Sequence, residues 1–269
     1  MLDNYNVDLR KNKVFLTYIP YISIPEYGQS NAPLVSLDGS SLYSNILQEE
    51  GTEIACEAHD SFHNYNPPIP TRFPREMLGL ILNENSFQFN GENYFKTHGA
   101  AMGTKMAVSF VNIFMAKIEA TLIQQRETKQ KEWRRYNDDI FSLWDSDKRD
   151  LDHFIEQAKK FHPIIKFTAK IFENEITFLD IVVKRERFIK ESILDIKTHY
   201  KPTETFQYTH CNSCHPPGVK NGFIKGEAIR LLRTNSSKTT FEDSLVKFGQ
   251  HLRTRGYPKT VIERFFSGG

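Results

Sequence analysis

Two adjacent acidic residues lie between two strand-like runs near the middle of the chain. Asp138 and Asp139 follow Arg135-Tyr136-Asn137 and precede the mostly apolar run Ile140–Leu143. If a hairpin turns here, the two side chains point to opposite faces. One carboxylate can then reach a bound cation while its neighbour supports the backbone around it. Because Mg²⁺ prefers carboxylate oxygens, the stretch is a candidate metal site.

A second carboxylate comes from much earlier in the sequence. The short, mostly apolar run Pro33–Leu37 ends at Asp38, which predicts a buried strand that delivers an acid at its C-terminal end. Two Mg²⁺ ions that bridge protein and substrate phosphates need carboxylates from separate segments. Taken singly, each pattern is more often structural, so the order and surroundings of the motifs decide between the interpretations.

Several segments, in this order, resemble the reverse transcriptases of Penelope-like retroelements. Ser36–Ile46 (SLDGSSLYSNI) looks like motif A of that family, and Gly99–Ala107 (GAAMGTKMA) looks like motif B. Arg135–Phe141 (RYNDDIF) looks like motif C, and the segments at 165–168 (IKFT) and 178–180 (FLD) look like the next strands. Five blocks in the right order make the resemblance specific for the family.

The resemblance implies an α+β fold. It covers roughly residue 34 to the C-terminus and implies a polymerase palm at 34–198, an antiparallel sheet backed by helices. A linker and a helical, helix-turn-helix-like thumb follow at 199–269. Aromatic residues and prolines alternate without a period in 1–33, which favours an extended N-terminal arm. Family members carry a fingers region before motif A, so we expect the arm to be its remnant and the fingers to be largely missing.

The activity implied by the resemblance is RNA-directed DNA polymerisation. Two Mg²⁺ ions, or Mn²⁺ in their place, would support phosphoryl transfer from a dNTP to a primer 3′-OH on an RNA or DNA template. Asp38, Asp138 and Asp139 would then be the catalytic and metal-binding residues. Lys166 and Lys170 are candidates for donating a proton to the pyrophosphate that leaves.

Four further residues acquire substrate-binding roles from the same resemblance. Tyr43 would be the steric gate against a 2′-OH, although its residue type alone fits a core aromatic equally well. Gly103 and Thr104 would lie under the nascent base pair, where small residues permit close approach of the backbone to substrate. Lys105 would contact template or triphosphate, or simply lie on the helix surface.

Composition fits an ordinary folded protein. The 269 residues are 39% hydrophobic and 25% charged, enough for one large domain or a domain with a small appendage. No apolar run approaches the ~18 residues that span a bilayer, and the N-terminus lacks a basic-then-apolar signal. Three cysteines argue against a disulfide framework. We therefore expect an intracellular protein, nuclear if it is functional.

Positive charge is concentrated at the C-terminal end. From Lys220 onward there are ten Lys and Arg against four Asp and Glu, so this part carries +6 and the remainder −4. A basic module suits a phosphate backbone, while a solvated helical surface is the alternative. The candidate nucleic-acid-binding residues are all basic: Arg230, Arg233, Lys247, Arg253, Arg255 and Lys259.

The tract His210–His215 (HCNSCH) permits a different interpretation. C-x-x-C-H is the pattern of covalent haem attachment, and Cys/His clusters also bind zinc. However, haem attachment belongs to exported proteins, and the candidate zinc ligands lack separated pairs. The tract also resembles the segment that joins palm to thumb in the Penelope-like enzymes, which is the interpretation we favour over a metal site.

Two functional hypotheses remain beside the haem or zinc protein. The chain is a polymerase domain, or it is a catalytically inactive nucleic-acid-binding remnant of such an element. Asn137 stands where the family usually has an aliphatic residue, and Gly39 stands where a β-branched or apolar residue usually follows the first acid. These departures, with the missing fingers, are the argument for the inactive remnant, while the five motif blocks favour the polymerase domain.

Local patterns predict most of the elements that must position these residues. Helices are predicted at Gln48–Phe62, from a cap at Thr71 through Leu82, from motif B to about Gln125, Asp147–Phe161, Ala228–Leu232, Phe241–Arg253 and Thr260–Phe266. The helix at Asp147–Phe161 carries an apolar face, which consists of Leu151, Phe154, Ile155 and Ala158. One hairpin is predicted around Asn90-Gly91. A second hairpin is predicted between strands at 166–171 and 176–183, and a strand at 192–197 is expected to extend its sheet.

Overall fold

A computed structural model describes residues 33–124, 132–144, 147–185 and 193–266. These residues fall into two compact units, 35–171 and 172 onward. The predicted N-terminal arm, up to residue 32, and the segment after motif B at 125–131 lie outside the described residues.

The first unit combines a four-stranded sheet, a separate hairpin and helices. Its strands are β1 Leu34–Ser40, β2 Ser86–Phe89, β3 Glu92–Phe95, β4 Glu132–Tyr136, β5 Asp139–Leu143 and β6 Lys166–Phe172. Its helices are α1 Leu42–Asn45, α2 Gln48–Phe62, α3 Arg72–Asn83, α4 Ala107–Gln124 and α5 Lys148–Phe161. The sheet has the order β4-β5-β1-β6, and β4 pairs with β5 in antiparallel register. The strand that carries Asp38 is thereby the neighbour of the strand that begins at Asp139.

Helices α4 and α5 bury apolar side chains against the sheet. Phe114 and Met115 of α4 are fully buried in one cluster with Leu37 of β1 and Trp144. The four residues predicted for the buried face of α5 are all buried: Leu151, Phe154, Ile155 and Ala158. This helix begins where the side chain of Asp147 accepts a hydrogen bond from the Asp150 amide at 2.9 Å.

Local sequence signals located several elements correctly. Helix α2 has the predicted bounds, and Asn90 and Gly91 both have positive φ, 50° and 83°, as a tight two-residue hairpin turn requires. Thr71 precedes α3 as predicted, but its predicted capping role is wrong. It has helical φ and ψ (−58°, −22°), and its hydroxyl donates to Asp60 instead.

The second unit contains a three-stranded antiparallel sheet and three helices. The strands are β7 Glu175–Phe178, β8 Ile181–Lys184 and β9 Asp195–Thr198, in the order β7-β8-β9. The helices are α6 Pro217–Arg233, α7 Lys238–Thr254 and α8 Lys259–Phe266. Buried apolar residues of all three helices form one cluster, which includes Ile224, Phe248 and Ile262.

The predicted pairing of 166–171 with a single strand at 176–183 is wrong. Strand β6 joins the four-stranded sheet beside β1, while β7 pairs with β8. The chain reverses at Leu179-Asp180, where Leu179 has a φ of 51°, so 176–183 is two strands rather than one. The expectation that the segment near 192–197 extends the same sheet is confirmed by β9.

Helix α6 begins well before its predicted start at Ala228. Pro217 opens the helix, a position where the missing proline N–H costs nothing. Gly218, Gly222 and Gly226 disfavour a helix intrinsically, yet nothing lies within 4 Å of a Cβ placed on any of them. They share one open face of the helix, and packing of the opposite face stabilises it.

The loop between α6 and α7 is joined to the edge of β9. Ser236 exchanges hydrogen bonds with Ile196, donating its amide to the carbonyl at 2.9 Å and accepting the Ile196 amide on its hydroxyl at 3.0 Å. Asn235 accepts the Thr198 amide at 3.3 Å and donates to the Leu231 carbonyl at 2.8 Å. Strands and helices therefore form one unit that begins at 172, while the predicted domain boundary at 198 stays a prediction.

Two helical glycines in the first unit predict opposite effects of the same substitution. A Cβ on Gly51 would lie 2.4 Å from Phe110 Cζ and 2.9 Å from Ile46 Cγ2, whereas Gly79 has nothing within 4 Å. We expect Gly51→Ala to lower the free energy of unfolding by about 1–3 kcal/mol through overpacking. Gly79→Ala should raise it by about 0.5–1 kcal/mol through helix propensity. Urea denaturation measures both, and equal stabilisation by the two would contradict the packing of α2 on α4.

Candidate active site

The two adjacent acids lie at a hairpin turn, as predicted. In the register of β4 and β5, Tyr136 pairs with Asp139, so Asn137 and Asp138 form a two-residue turn. Asn137 has a φ of 52°, in the left-handed region that asparagine tolerates better than most residues. Asp138 is thus presented at the tip of the hairpin, and Asp139 opens β5.

Strand β1 brings Asp38 beside this turn. The amide of Gly39 donates to the carbonyl of Asp138 at 3.1 Å. A Cβ on Gly39 would lie 3.6 Å from the Cβ of Asp138 and 3.9 Å from the ring of Phe167. Gly39 is buried, while Asp38 is exposed and available to a ligand.

The electrostatics of Asp138 reflect this neighbourhood. Partial burial raises the pKa of Asp138 above its usual value, its own backbone hydrogen bond acts in the opposite direction, and the charge of Asp38 raises it further. The two carboxylates therefore repel each other when both are ionised. A divalent cation bound between them would relieve that repulsion.

These two carboxylates fit a Mg²⁺ site that is completed by substrate. Within the described ranges, no three His, Cys, Asp or Glu side chains lie close enough together to hold a metal ion. Mg²⁺ is commonly held by one or two carboxylates, with water and substrate phosphates at the remaining positions. Asp38 and Asp138 match that donor set, and a role for Asp139 as a ligand stays a prediction.

Tyr43 lies in helix α1, directly after the strand that carries Asp38. Burial raises the pKa of its phenol, and the charges of Asp138 and Tyr136 raise it further. Its carbonyl accepts the amide of Ala100 at 2.7 Å. Gly99 has a φ of 68°, and a Cβ there would lie 2.3 Å from the Tyr43 carbonyl oxygen. The segment before α4 therefore fixes the backbone of Tyr43, whose role as a steric gate stays a prediction.

Gly103, Thr104 and Lys105 lie in the turn that precedes α4. Gly103 is exposed, with open space around it, and Lys105 is exposed. The hydroxyl of Thr104 donates to the carbonyl of Ala101 at 3.0 Å, and the Thr104 carbonyl accepts the amide of Ala107. These bonds shape the start of α4, and the substrate-binding roles of the three residues stay predictions.

The predicted proton donors lie on β6, the other neighbour of β1. Lys166 and Lys170 are both exposed, and the ammonium group of Lys166 donates to the His162 carbonyl at 3.3 Å. Their chemical role stays a prediction.

A buried polar network behind the turn was not predicted from sequence. Arg135 donates from Nε to Glu119 Oε2 at 2.7 Å, and from Nη1 to Asn112 Oδ1 at 2.7 Å and the Asn137 carbonyl at 3.1 Å. Trp133 Nε1 donates to the other oxygen of Glu119 at 2.7 Å, and Asn112 Nδ2 donates to Asn137 Oδ1 at 3.2 Å. The side chains of Arg135 and Glu119 are only 9% and 11% exposed, so the ion pair is almost fully removed from water.

The sequence does contain a signal for this network. Asn112 and Glu119 of the mostly apolar helix α4 are seven residues, or two turns, apart and hence lie on one face. Polar side chains in such positions are usually buried with a partner. The partner, on β4, could not be identified without the fold.

The basic candidates of the second unit divide into two groups. Arg230 donates from Nε and Nη2 to the two carboxylate oxygens of Glu227 at 2.8 and 2.7 Å, and its Nη1 lies 3.7 Å from Asp180 Oδ2. Arg255 donates to the Tyr208 carbonyl at 2.6 Å and to Gln207 Oε1 at 3.0 Å. These two guanidinium groups are engaged in contacts that hold the unit together.

The other four basic candidates point to solvent. They are Arg233, Lys247, Arg253 and Lys259, all exposed. Lys259 forms a surface ion pair with Glu263 at 3.4 Å. Such pairs are weak, so all four charges remain accessible to a phosphate backbone.

Backbone contacts fasten the cysteine tract to the helices. The amide of Cys211 donates to the Arg255 carbonyl at 2.9 Å, and Lys220 Nζ donates to the carbonyls of Cys211 and Ser213 at 2.7 and 3.0 Å. Cys211 packs on the helical core, and Cys214 is exposed. These contacts are those of a structural linker that leads into α6.

Comparison with known proteins identifies the C-terminal region and the fold. The family model of the animal helix-turn-helix domain matches residues 207–267, which include α6, α7 and α8. Comparison with curated proteins gives no match.

Solved polymerases resemble the whole chain. Telomerase from Candida albicans, in complex with a fragment of telomeric RNA, is 8% identical over 98% of this chain and 53% of its own, with a TM-score of 0.52. Apo telomerase from Candida tropicalis is 10% identical over 96% and 45%, with a TM-score of 0.51. The RNA-dependent RNA polymerase of a human picobirnavirus, as an insertion-loop deletion mutant, is 11% identical over 97% and 49%, with a TM-score of 0.51.

These likenesses establish the fold. The chain has the mixed α+β fold of nucleic-acid polymerases, with a helical C-terminal region that matches a helix-turn-helix domain. It spans about half the length of the solved structures it matches. None of the helices within the described ranges is both long enough and apolar enough to span a bilayer.

Proposed function

We propose that this chain is the reverse transcriptase domain of a Penelope-like retroelement, which adds a dNTP to a primer 3′-OH on an RNA or DNA template. The observation that carries the proposal is the adjacency of Asp38 on β1 and Asp138 at the β4–β5 turn. The polymerase fold supports it, and two of the similar structures are telomerases, which are reverse transcriptases.

In this proposal the acidic pair holds the divalent cations. Asp38 and Asp138 would bind Mg²⁺, which when bound activates the primer hydroxyl and neutralises charge on the triphosphate. Because burial and Asp38 raise the pKa of Asp138, its ionised, metal-binding form is lost at a higher pH than for an ordinary aspartate. Asp139 supports the turn from the first position of β5.

The remaining residues select and position substrate. Tyr43, beside Asp138, would exclude a 2′-OH from the sugar site. Gly103 and Thr104, in the turn before α4, would lie under the nascent base pair, and Lys105 would contact template or triphosphate. Lys166 or Lys170 would protonate the pyrophosphate. We also propose that the chain uses dNTP substrates and acts in the nucleus.

Primer extension tests the catalytic assignment. On poly(rA)–oligo(dT) with Mg²⁺, we expect Asp38→Asn and Asp138→Asn each to abolish extension, because each removes a charged metal ligand. Asp139→Asn should be milder. The matched control is Asp152→Asn on the exposed face of α5, which should extend at the wild-type rate.

Circular dichroism of each variant checks that the fold is intact. If the protein extends a primer equally well with Asp138 replaced, the site assignment is wrong.

A catalytically inactive nucleic-acid-binding remnant is the second candidate. The helix-turn-helix match at 207–267 favours it, because such domains bind nucleic acid without any metal chemistry. The exposed basic residues of α6 to α8 would supply the phosphate contacts. A wild-type protein that binds duplex but shows no extension with Mg²⁺ or Mn²⁺ would support this candidate over the first.

Salt dependence of binding tests the basic surface. If Arg233 contacts phosphate, Arg233→Ala in the full chain should reduce the slope of log K against log salt by about 0.9 on B-DNA. Arg230→Ala should leave the slope unchanged, because the Arg230 guanidinium is paired with Glu227. Binding that is independent of salt, or absent at low ionic strength, would show that the exposed charges form an ordinary solvated surface rather than a nucleic-acid-binding one.

A further inference from the structure

We propose that Asn112 of helix α4 is a positioning residue for Asp138 and acts through Asn137. The inference rests on the proposed function, because it concerns how the same acidic site is held in its working geometry. It assigns a purpose to the two asparagines and to the buried ion pair behind the turn.

The turn conformation of Asn137 needs support from its surroundings. Asn137 has a φ of 52°, which most residues with a side chain adopt only at a cost. Asparagine reduces that cost but does not remove it. Further contacts must therefore select this conformer over a turn that would point Asp138 elsewhere.

The side-chain amide of Asn112 supplies one of these contacts. Asn112 is only 2% exposed, and both ends of its side chain are satisfied. Its Nδ2 donates to Asn137 Oδ1 at 3.2 Å, and its Oδ1 accepts from Arg135 Nη1 at 2.7 Å. Any other turn conformer would remove the partner of a buried N–H, which is strongly disfavoured.

Arg135 orients the peptide bond between Asn137 and Asp138. Arg135 Nη1 also donates to the carbonyl of Asn137 at 3.1 Å, which fixes the plane of that peptide. Glu119 holds Arg135 from α4, and Trp133 holds the other oxygen of Glu119. The backbone of Asp138 is thus oriented from both sides, by the Gly39 amide of β1 on one and by this network on the other.

Asn112 is the informative member to change. Removing Glu119 or Arg135 would leave a buried charge without its partner, which is strongly destabilising. Asn112 is neutral, and in the described contacts its side chain joins only Arg135 and Asn137. Its loss should loosen the turn while the ion pair remains.

The test compares kinetic constants for primer extension, corrected for the folded fraction of each variant. Asn112→Ala should lower kcat about 10- to 100-fold, the size of effect produced by small misplacement of a catalytic group, and leave KM for primer–template unchanged. Adding Asn137→Gly to this variant should recover part of kcat, because glycine adopts positive φ without a partner for its side chain. A purely structural role would lower the folded fraction but not kcat, and the glycine would restore nothing.

Asn235→Ala is the matched control, since it removes another buried amide, in the second unit. It should destabilise the protein without the change in kcat. An Asn112→Ala variant with wild-type kcat would overturn the positioning role and leave the proposed function intact.

Mn²⁺ binding, followed by electron paramagnetic resonance, gives a readout that does not require activity. Wild-type protein should bind Mn²⁺. Asp138→Asn should abolish this binding, and Asn112→Ala should weaken it severalfold. If wild type fails to extend primers but shows this pattern, the positioning role stands and the polymerase proposal fails. Equal Mn²⁺ affinity of wild type and Asn112→Ala overturns the positioning role, and absence of Mn²⁺ binding by wild type overturns both.

Discussion

The place of β1 between β5 and β6 is the constraint on which the first unit depends. Residues 38 and 138 are a hundred positions apart in sequence, and only the pairing of β1 beside the β4–β5 hairpin brings them together. The two segments are joined at Gly39, whose amide donates to the Asp138 carbonyl at 3.1 Å. Helices α4 and α5 then cover the sheet with Phe114, Met115 and Phe154, so burial of their apolar side chains stabilises the same arrangement that assembles the acidic pair.

The Glu119–Arg135 pair adds geometric specificity at an energetic cost. Removing two charges from water costs several kcal/mol, and the pair offsets this only because nearly every donor and acceptor around it is satisfied. An apolar cluster of the same volume would serve stability as well. What an apolar cluster could not do is fix the peptide plane of Asn137 and hold its positive φ. Asn137, which departs from the pattern of the resembled family, thereby has a structural explanation, since its amide matches the amide of Asn112.

Elements defined by local patterns could be predicted from the sequence, and elements defined by distant partners could not. The Asn90-Gly91 hairpin, the apolar face of α5 and the turn at Asp138 depend on residues a few positions apart. Nothing local in the sequence shows that the partner of strand β6 is β1 rather than β7. The sequence predicts too short a helix α6, because its three glycines weaken the intrinsic signal while the packing that compensates comes from α7 and α8. Charge counts likewise identified the basic region, but not that Glu227 and the Tyr208 carbonyl engage Arg230 and Arg255.

The most direct measurement is the position of Mn²⁺ in crystals of the protein with a primer–template and a dNTP analogue, located by anomalous diffraction. The account predicts a peak about 2.1 Å from a carboxylate oxygen of Asp38 and of Asp138, a usual distance for a small divalent cation. A peak that neither carboxylate coordinates, in crystals with primer–template bound, would contradict it.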